Sequence, residues 1–364
     1  MSITAKNQPM PPCPKCGCTR TVKRGRRQNR LQVLRIFQCT ECLHRFTHGD
    51  AGKHKTYPLK VILEAVSTFN LGYSMTETQH QLRRRFHLNI PERTISSWLA
   101  EHRDLATYSR LRAEGRKRYD PRNIIHSVDL EHQQVYRFQV HRGKLDLLLS
   151  QRDHAAFEGL KHYFASIEKD FPHNLFRVSR ERSSKFPIDL DPPITRKENH
   201  ATRLAALALP TSLNNRKRHE TLQHFMLTND SVTVAVEIPV YLTCEDVAYY
   251  RSRGFDLQID ANVITGHIDF LQVRNGYLHV LDYKPEARKE KHAHVQTTIY
   301  ALALARRTRL PLKMFKCAWF DEKDYFEFYP LAGVYKTRSH PPATRTSPHV
   351  DAASQRGKVE VICR

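Results

Sequence analysis

Asp269, Asp282 and Lys284 have the types and spacing to do chemistry on a charged substrate. They lie in Ile264-Thr-Gly-His-Ile-Asp269-Phe-Leu-Gln-Val-Arg-Asn275-Gly276-Tyr-Leu-His-Val-Leu-Asp282-Tyr-Lys284-Pro285. Asn-Gly between two apolar runs is the strongest short hairpin signal and predicts a two-residue type I′ loop. Arg274 then faces Tyr277, and the same register sets Asp269 opposite Asp282, their Cβ atoms roughly 4.5–5.5 Å apart. Lys284 is two residues further on and shares that face. Opposed carboxylates repel. Either a divalent cation bridges them, or a buried pair shares a proton and one pKa rises. A solvated pair in a shifted register is the plain alternative, and a lysine on an otherwise apolar strand argues against it.

The surrounding chain must hold this hairpin in a larger sheet. Residues 201–335 alternate helix and strand patterns. Gly266-His-Ile-Asp269 followed by Asp282-Tyr-Lys284 resembles the core motif of the PD-(D/E)XK nuclease superfamily, an acidic residue on one strand and D/E-x-K on the next. Gln296-Thr-Thr-Ile-Tyr300 then resembles the Q-x-x-x-Y of the RecB-like branch, which includes the CRISPR-associated exonucleases of spacer acquisition. Positions i and i+4 share a helix face, so Gln296 and Tyr300 are expected at the same site.

The resemblance implies an α/β restriction-endonuclease-like core, a mixed sheet flanked by helices. It implies DNA as partner and hydrolysis of phosphodiester bonds with Mg²⁺ or Mn²⁺. It implies a histidine metal ligand on a preceding helix, for which His219 and His224 are candidates. His219 fits better, with Leu222, Phe225 and Met226 as its apolar stripe. Asp269, Asp282, His219 and the Tyr283 carbonyl would then be ligands. Lys284 would orient water or stabilise charge, Gln296 and Tyr300 would position it or the phosphate, and Glu237 occupies the place of an acidic residue on the first core strand. Several relatives of that branch carry an iron–sulfur cluster. Cys244, Cys317 and Cys363 are too scattered for one, so none is expected.

A second chemistry-bearing group lies at the start of the chain. Five of the eight cysteines fall in the first 42 positions. Cys13-Pro-Lys-Cys16 and Cys39-Thr-Glu-Cys42 form two C-x-x-C turns, which together make a tetrahedral S4 site for Zn²⁺. About 50 residues have little core, so metal would supply much of the stability. Leu31–Gln38 alternates as a strand leading into the second turn, and Cys18 is an extra thiol. The segment resembles zinc ribbons at the N-termini of many prokaryotic transposases.

Residues 55–105 are helical by pattern. Val61, Ile62, Ala65, Val66 and Phe69 mark a first helix ended at Gly72. Ser74-Met-Thr-Glu77 is a capping box opening a second. Pro91 opens a third, with Ile95, Trp98 and Leu99 as its apolar stripe. Three short helices resemble a helix-turn-helix. The third would present Glu92, Arg93, Ser96 and Ser97 to the major groove, with Arg83, Arg84 and Arg85 near phosphates.

The charge agrees with a polyanionic partner. The chain has 59 Lys and Arg against 37 Asp and Glu, a net +22. Residues 1–118 hold 23 of the basic and 8 of the acidic side chains, two thirds of the surplus. A surplus so concentrated points to a phosphate-binding surface. No apolar run approaches a membrane span, and no signal core opens the chain, so a cytoplasmic protein is expected.

The expected organisation is a zinc ribbon in 1–50, a helix-turn-helix in 55–105, a connecting region of unknown role in 106–200, a nuclease domain in 201–335 and a disordered tail in 336–364. A homodimer or mobile-element proteins are conceivable partners. The competing reading is a transposase-like protein with an RNase H-like core, using Asp129 as a first acid, or a non-catalytic core.

Overall fold

A computed structural model describes residues 10–28, 33–47, 56–104, 109–179, 183, 186, 188–212 and 217–335. The proposed tail at 336–364, with Cys363, lies outside them, as do Leu31 and Gln32 of the anticipated ribbon strand.

The N-terminal unit is a three-stranded antiparallel sheet of β1 (Thr21–Gln28), β2 (Val33–Cys39) and β3 (Arg45–Thr47). Its small core holds Cys13, Phe37, Cys39 and Phe46. Gly17 and Leu43 take φ of +72° and +56° just after Cys16 and Cys42, which lets each turn fold back around its thiols.

Three helices follow: α1 (Leu59–Asn70), α2 (Met75–Phe86) and α3 (Glu92–Glu101). The Ser74 hydroxyl accepts from the Glu77 amide and the Glu77 carboxylate accepts from the Ser74 amide, so both halves of the capping box form. Pro91 stands one place earlier than expected, at the N-cap of α3. Val61, Ile62, Ala65, Leu82, Ile90, Ile95 and Trp98 close the core between them.

The rest is one α/β domain. Its eight-stranded sheet has the order β4-β5-β7-β8-β9-β10-β11-β6. The strands are β4 (Ile125–His132), β5 (Gln134–His141), β6 (Thr195–Arg196), β7 (Thr233–Thr243), β8 (Val263–Arg274), β9 (Tyr277–Tyr283), β10 (Phe315–Phe320) and β11 (Tyr325–Phe328). Only β9 and β10 run parallel; every other neighbouring pair is antiparallel. Helices α4 (Ser109–Arg118), α5 (Arg142–Leu149), α6 (Gly159–Lys169), α7 (His173–Val178), α8 (His200–Ala208), α9 (Arg218–Asn229), α10 (Cys244–Ser252), α11 (Ala293–Thr308) and α12 (Pro330–Val334) surround it. The mixed sheet flanked by helices is the expected restriction-endonuclease-like architecture.

Residues 106–200, expected only as a connection, belong to this sheet. β4 and β5 pair through their whole length, and β5 joins β7 at Gln139↔Val236 and Val140↔Ala235. Phe138, Phe157, Leu160 and Ile167 are buried in the main core with Ile238, Ile268 and Leu271. By pattern Tyr136–Leu149 reads as two short strands; the first is β5, but Arg142–Leu149 is helix α5, and the pairing of β5 with a strand nearly a hundred residues later left no local signal.

Asn275 and Gly276 both have positive φ, +52° and +72°, as a type I′ loop requires. The ladder runs from Arg274↔Tyr277 to Phe270↔Leu281 in the expected register. β9 then continues against β10, with Trp319↔Asp282 and Phe320↔Tyr283. The parallel pair β9–β10 requires a crossover, and α11 supplies it, as in any βαβ unit. This connection carries α11 over the end of β9.

Candidate active site

The centre of the sheet slips where the acidic residues stand. Ile264 and Ile268 pack in the main core, on even positions; beyond Asp269 the odd positions Leu271 and Val273 do so, and Phe270 packs on the other side. β7 changes side at Glu237 in the same way, with Val236 in one core and Ile238 in the other. Glu237 has φ +52°, a backbone a glutamate rarely adopts, at a cost of order 1–3 kcal/mol. The flanking pairs Val236↔Phe270 and Ile238↔Ile268 set Glu237 opposite Asp269. Three acidic side chains therefore meet at adjacent levels of β7, β8 and β9.

Asp269 and Asp282 are both buried. Asp269 Oδ2 accepts from the Tyr283 amide at 2.9 Å and faces His219 Nδ1 at 3.5 Å. The strands open here, and a side-chain carboxylate takes the place of the next ladder bond. Lys284 Nζ lies 2.8 Å from Asp282 Oδ2, on the shared face. Gln223 Nε2 donates to Glu237 Oε1 at 2.7 Å. Gln296 Nε2 donates to the Tyr300 hydroxyl at 2.8 Å, and both side chains are buried on α11.

Electrostatics separates the carboxyls. Burial, reinforced by the Asp269 charge, pushes Asp282 up to about 7. Burial and Asp269 likewise push Glu237 up to about 7. Burial also acts to raise Asp269, but His219, Lys284 and the Tyr283 amide outweigh it and leave Asp269 below the usual range. Burial acts to lower His219, and the bond to Asp269 with the charges of Asp282 and Glu237 turns the net shift upward. One ionised carboxylate thus sits beside two that titrate near neutrality. That donor set, carboxylate oxygens and one imidazole, fits a hard divalent cation.

A cavity of about 330 Å³ opens onto this cluster. Glu237, Asp269, His219, Gln296 and Tyr300 line it, with Gly266 and His267 from the same strand as Asp269. A Cβ on Gly266 would stand 2.3 Å from Tyr300 Cε1 and 2.6 Å from Ser183 Oγ, so only glycine admits the Tyr300 ring. On the far wall His267 stacks on Tyr136, ring centroids 3.7 Å apart. His132 links His267 to His173, each contact 2.9 Å, and the His173 ring meets the Ile167 carbonyl at 3.0 Å. Burial pushes His132 down to about 4, so it is neutral at physiological pH.

Most candidates converge here: His219, Glu237, Asp269, Asp282, Lys284, Gln296 and Tyr300. Tyr283 contributes its amide, and its buried ring turns away, the hydroxyl accepting from Arg218 Nη2 at 2.7 Å. His224, on the same helix as His219, does not line the cavity. Asp129 is not there either; it is exposed on β4 and paired with Arg137 Nε at 2.7 Å. The acidic side chains do not close to the spacing of a compact metal cluster. Among the described residues only the four cysteines gather three or more ligand atoms within 4.8 Å of one another. The repulsion between carboxylates and the pull of Lys284 on Asp282 account for the looser spacing.

Gln223, His267, His132 and Ser183 were not foreseen. Gln223 had a signal, lying four residues after His219 on one helix face. His267 stands two residues before Asp269 on one strand. Ser183, from a segment some eighty residues before Gly266, had none.

At the N-terminus Cys13 Sγ lies 3.5 Å from Cys42 Sγ, and Cys16 Sγ 3.6 Å from Cys39 Sγ. The four could hold one metal ion. Backbone amides of Cys42 and Glu41 hold the Cys39 thiol down to about 6. Cys18 is outside the group and accepts from the Arg20 amide at 3.3 Å.

On α2 and α3, Arg83, Arg84, Arg93, Ser96 and Ser97 are exposed. Arg85 is exposed but ion-paired to Glu64. Glu92 is tied back to the Thr76 hydroxyl at 2.8 Å.

A family model described as the PD-(D/E)XK nuclease superfamily matches residues 176–354. No curated protein and no solved structure matches the chain.

Proposed function

Residues 176–354 belong to the PD-(D/E)XK nuclease superfamily, and from that premise we propose that the protein is a Mg²⁺- or Mn²⁺-dependent deoxyribonuclease of the RecB-like kind. The observation that carries this reading is the buried pair Asp269 and Asp282 with half-buried Lys284 against it, His219 on one side and Gln296 and Tyr300 nearby. Asp269, Asp282 and His219 would hold the cation, with the Tyr283 carbonyl as a further ligand. A bound divalent cation polarises the scissile phosphate and lowers the pKa of coordinated water.

The protein's own groups do the rest. Glu237, outside the proposed ligand set and pushed up to about 7 by burial, is the group at the cluster suited to take or release a proton. Lys284, held against Asp282, offers a cation to the charge that develops on phosphorus. Gln296 and Tyr300 fix each other and position the phosphate or the lysine.

The four cysteines hold Zn²⁺ in this reading, and the ribbon and helix-turn-helix bind duplex DNA. Arg83, Arg84, Arg93, Ser96 and Ser97 present the contacts. No helix among the described residues is long and apolar enough to cross a membrane. A transposase with an RNase H-like core is the weaker reading, since its first acid, Asp129, is exposed and ion-paired outside the cavity.

Purified protein incubated with linear and with circular duplex DNA tests the proposal. Cleavage is expected with Mn²⁺ or Mg²⁺ and none with EDTA. Cleavage indifferent to EDTA, or absent with both ions, contradicts it.

A further inference from the structure

Helix α1 belongs to two cores at once. Val61, Ile62 and Ala65 pack inside the three-helix unit, whereas Leu63 is buried among Leu222, Phe225, Met226, Val236 and Phe270 of the nuclease domain. Beside Leu63 runs a buried polar bridge. Asn70 Nδ2 donates to Asn229 Oδ1 at 2.9 Å, and Asn229 Nδ2 donates to Ser67 Oγ at 2.8 Å and to the Phe225 carbonyl at 3.0 Å. All three side chains are at least nine-tenths buried. A second strap closes the other side. Arg112 of α4 stacks on Phe69, 3.9 Å from the ring centroid, and donates to the Phe69 and Tyr73 carbonyls at 2.7 and 2.6 Å.

Apolar contact alone would let the two units slide, because it is non-directional. A satisfied buried amide bridge has one geometry, and every alternative leaves a buried polar group without a partner. Asn229 ends α9, the helix that carries His219 in its first turn. The bridge therefore ties α1 to the element that carries a candidate metal ligand.

On the reading that α1–α3 bind DNA and the cavity cleaves it, we infer that the Ser67–Asn229–Asn70 bridge and Arg112 lock the recognition helix to the catalytic cluster. The enzyme then cuts at one fixed offset from the sequence it recognises. These residues set the position of the cut without touching substrate.

The test uses the full-length protein. Duplexes enriched from a randomised pool with no Mg²⁺ or Mn²⁺ added identify the bound sequence. The cut is then mapped with Mn²⁺ on duplexes carrying inserts of half a helical turn and a full turn beside it. A single cut at constant distance, whatever sequence the insert places there, is expected. Asn70→Ala with Asn229→Leu and Arg112→Met removes the lock while leaving the contact filled by apolar side chains, and should turn the single cut into a ladder while the enriched duplex is still bound. A ladder from the wild-type protein, or an equally sharp cut from the triple variant, overturns the inference and leaves the nuclease assignment standing. No enriched sequence, or no cleavage of any duplex, removes the reading on which the inference rests, and the inference falls with it.

Discussion

Gly266 lies directly against the ring of Tyr300, so close that a Cβ at residue 266 would stand 2.3 Å from Cε1. Tyr300 is fully surrounded, bonded to Gln296 and to Ser183. Gly266→Ala must displace the ring and strain these bonds. Overpacking of this kind costs about 1–3 kcal/mol. A matching loss of thermal stability is expected, and the loss caused by Gly266→Ala should be smaller in a Tyr300→Ala background, where the ring is absent. Gly266→Ala with an unchanged midpoint would show that the ring moves freely.

Asp282 and Glu237 give the cation-free protein a pH signature. Both carboxyls are pushed up to about 7 by burial and the Asp269 charge. Their pKa values in the unfolded chain are about 4. A group raised on folding stabilises fully below its unfolded pKa, and that contribution is lost as pH rises through the folded value. Relative to Asp282→Asn with Glu237→Gln, in which buried histidines such as His132 act unchanged, the thermal midpoint without added cation should therefore fall between about pH 4 and about pH 7. Mn²⁺ binds the deprotonated cluster and should oppose the fall, most strongly near neutrality. Identical pH profiles for the wild type and that double variant would mean these carboxyls are solvated.

The ribbon should contain about one zinc per chain, held by four thiolates. Cys39→Ser should lose the metal and unfold β1–β3, while the helices of the α/β domain keep their structure. Cys18→Ser should change neither, because Cys18 lies outside the cluster. Metal analysis with circular dichroism reads both outcomes, and full zinc retention by Cys39→Ser would exclude the S4 site.

DNA affinity should drop by orders of magnitude from low to moderate salt, since phosphate contacts release counterions. The arginines of α2 should not contribute equally. Arg83 and Arg84 are exposed, whereas Arg85 is neutralised by Glu64. Arg84→Ala should therefore weaken binding and flatten the salt dependence more than Arg85→Ala does. The reverse order would place Arg85, not Arg84, at the phosphates.

The hairpin was legible because Asn275-Gly276 fixes the loop, and the loop fixes every pair back to Phe270↔Leu281. The capping box at Ser74 and the paired C-x-x-C turns were legible for the same reason: local spacing dictates local geometry. What was not legible is non-local or depends on strain. The left-handed backbone at Glu237 interrupts the alternation of β7 without any glycine to announce it. Ser183 and His132 reach the site from segments distant in the chain, and pairing of that kind leaves no trace in periodicity. The sheet also absorbed residues 125–141, which sequence pattern alone left as an unassigned connection.

The central claim is that Asp282 holds a cation and Lys284 acts on the reaction beside it. Calorimetric titration with Mn²⁺ together with a DNA-cleavage assay on Asp282→Ala and Lys284→Ala tests it most directly. Asp282→Ala should lose both metal binding and cleavage, because Asp269 would be the one carboxylate left in the proposed ligand set, a poor clamp for a hard cation. Lys284→Ala should keep or strengthen Mn²⁺ binding, having lost a competing positive charge 2.8 Å from Asp282, and should lose cleavage. Cleavage that survives in Lys284→Ala, or Mn²⁺ binding that survives unchanged in Asp282→Ala, would contradict the account.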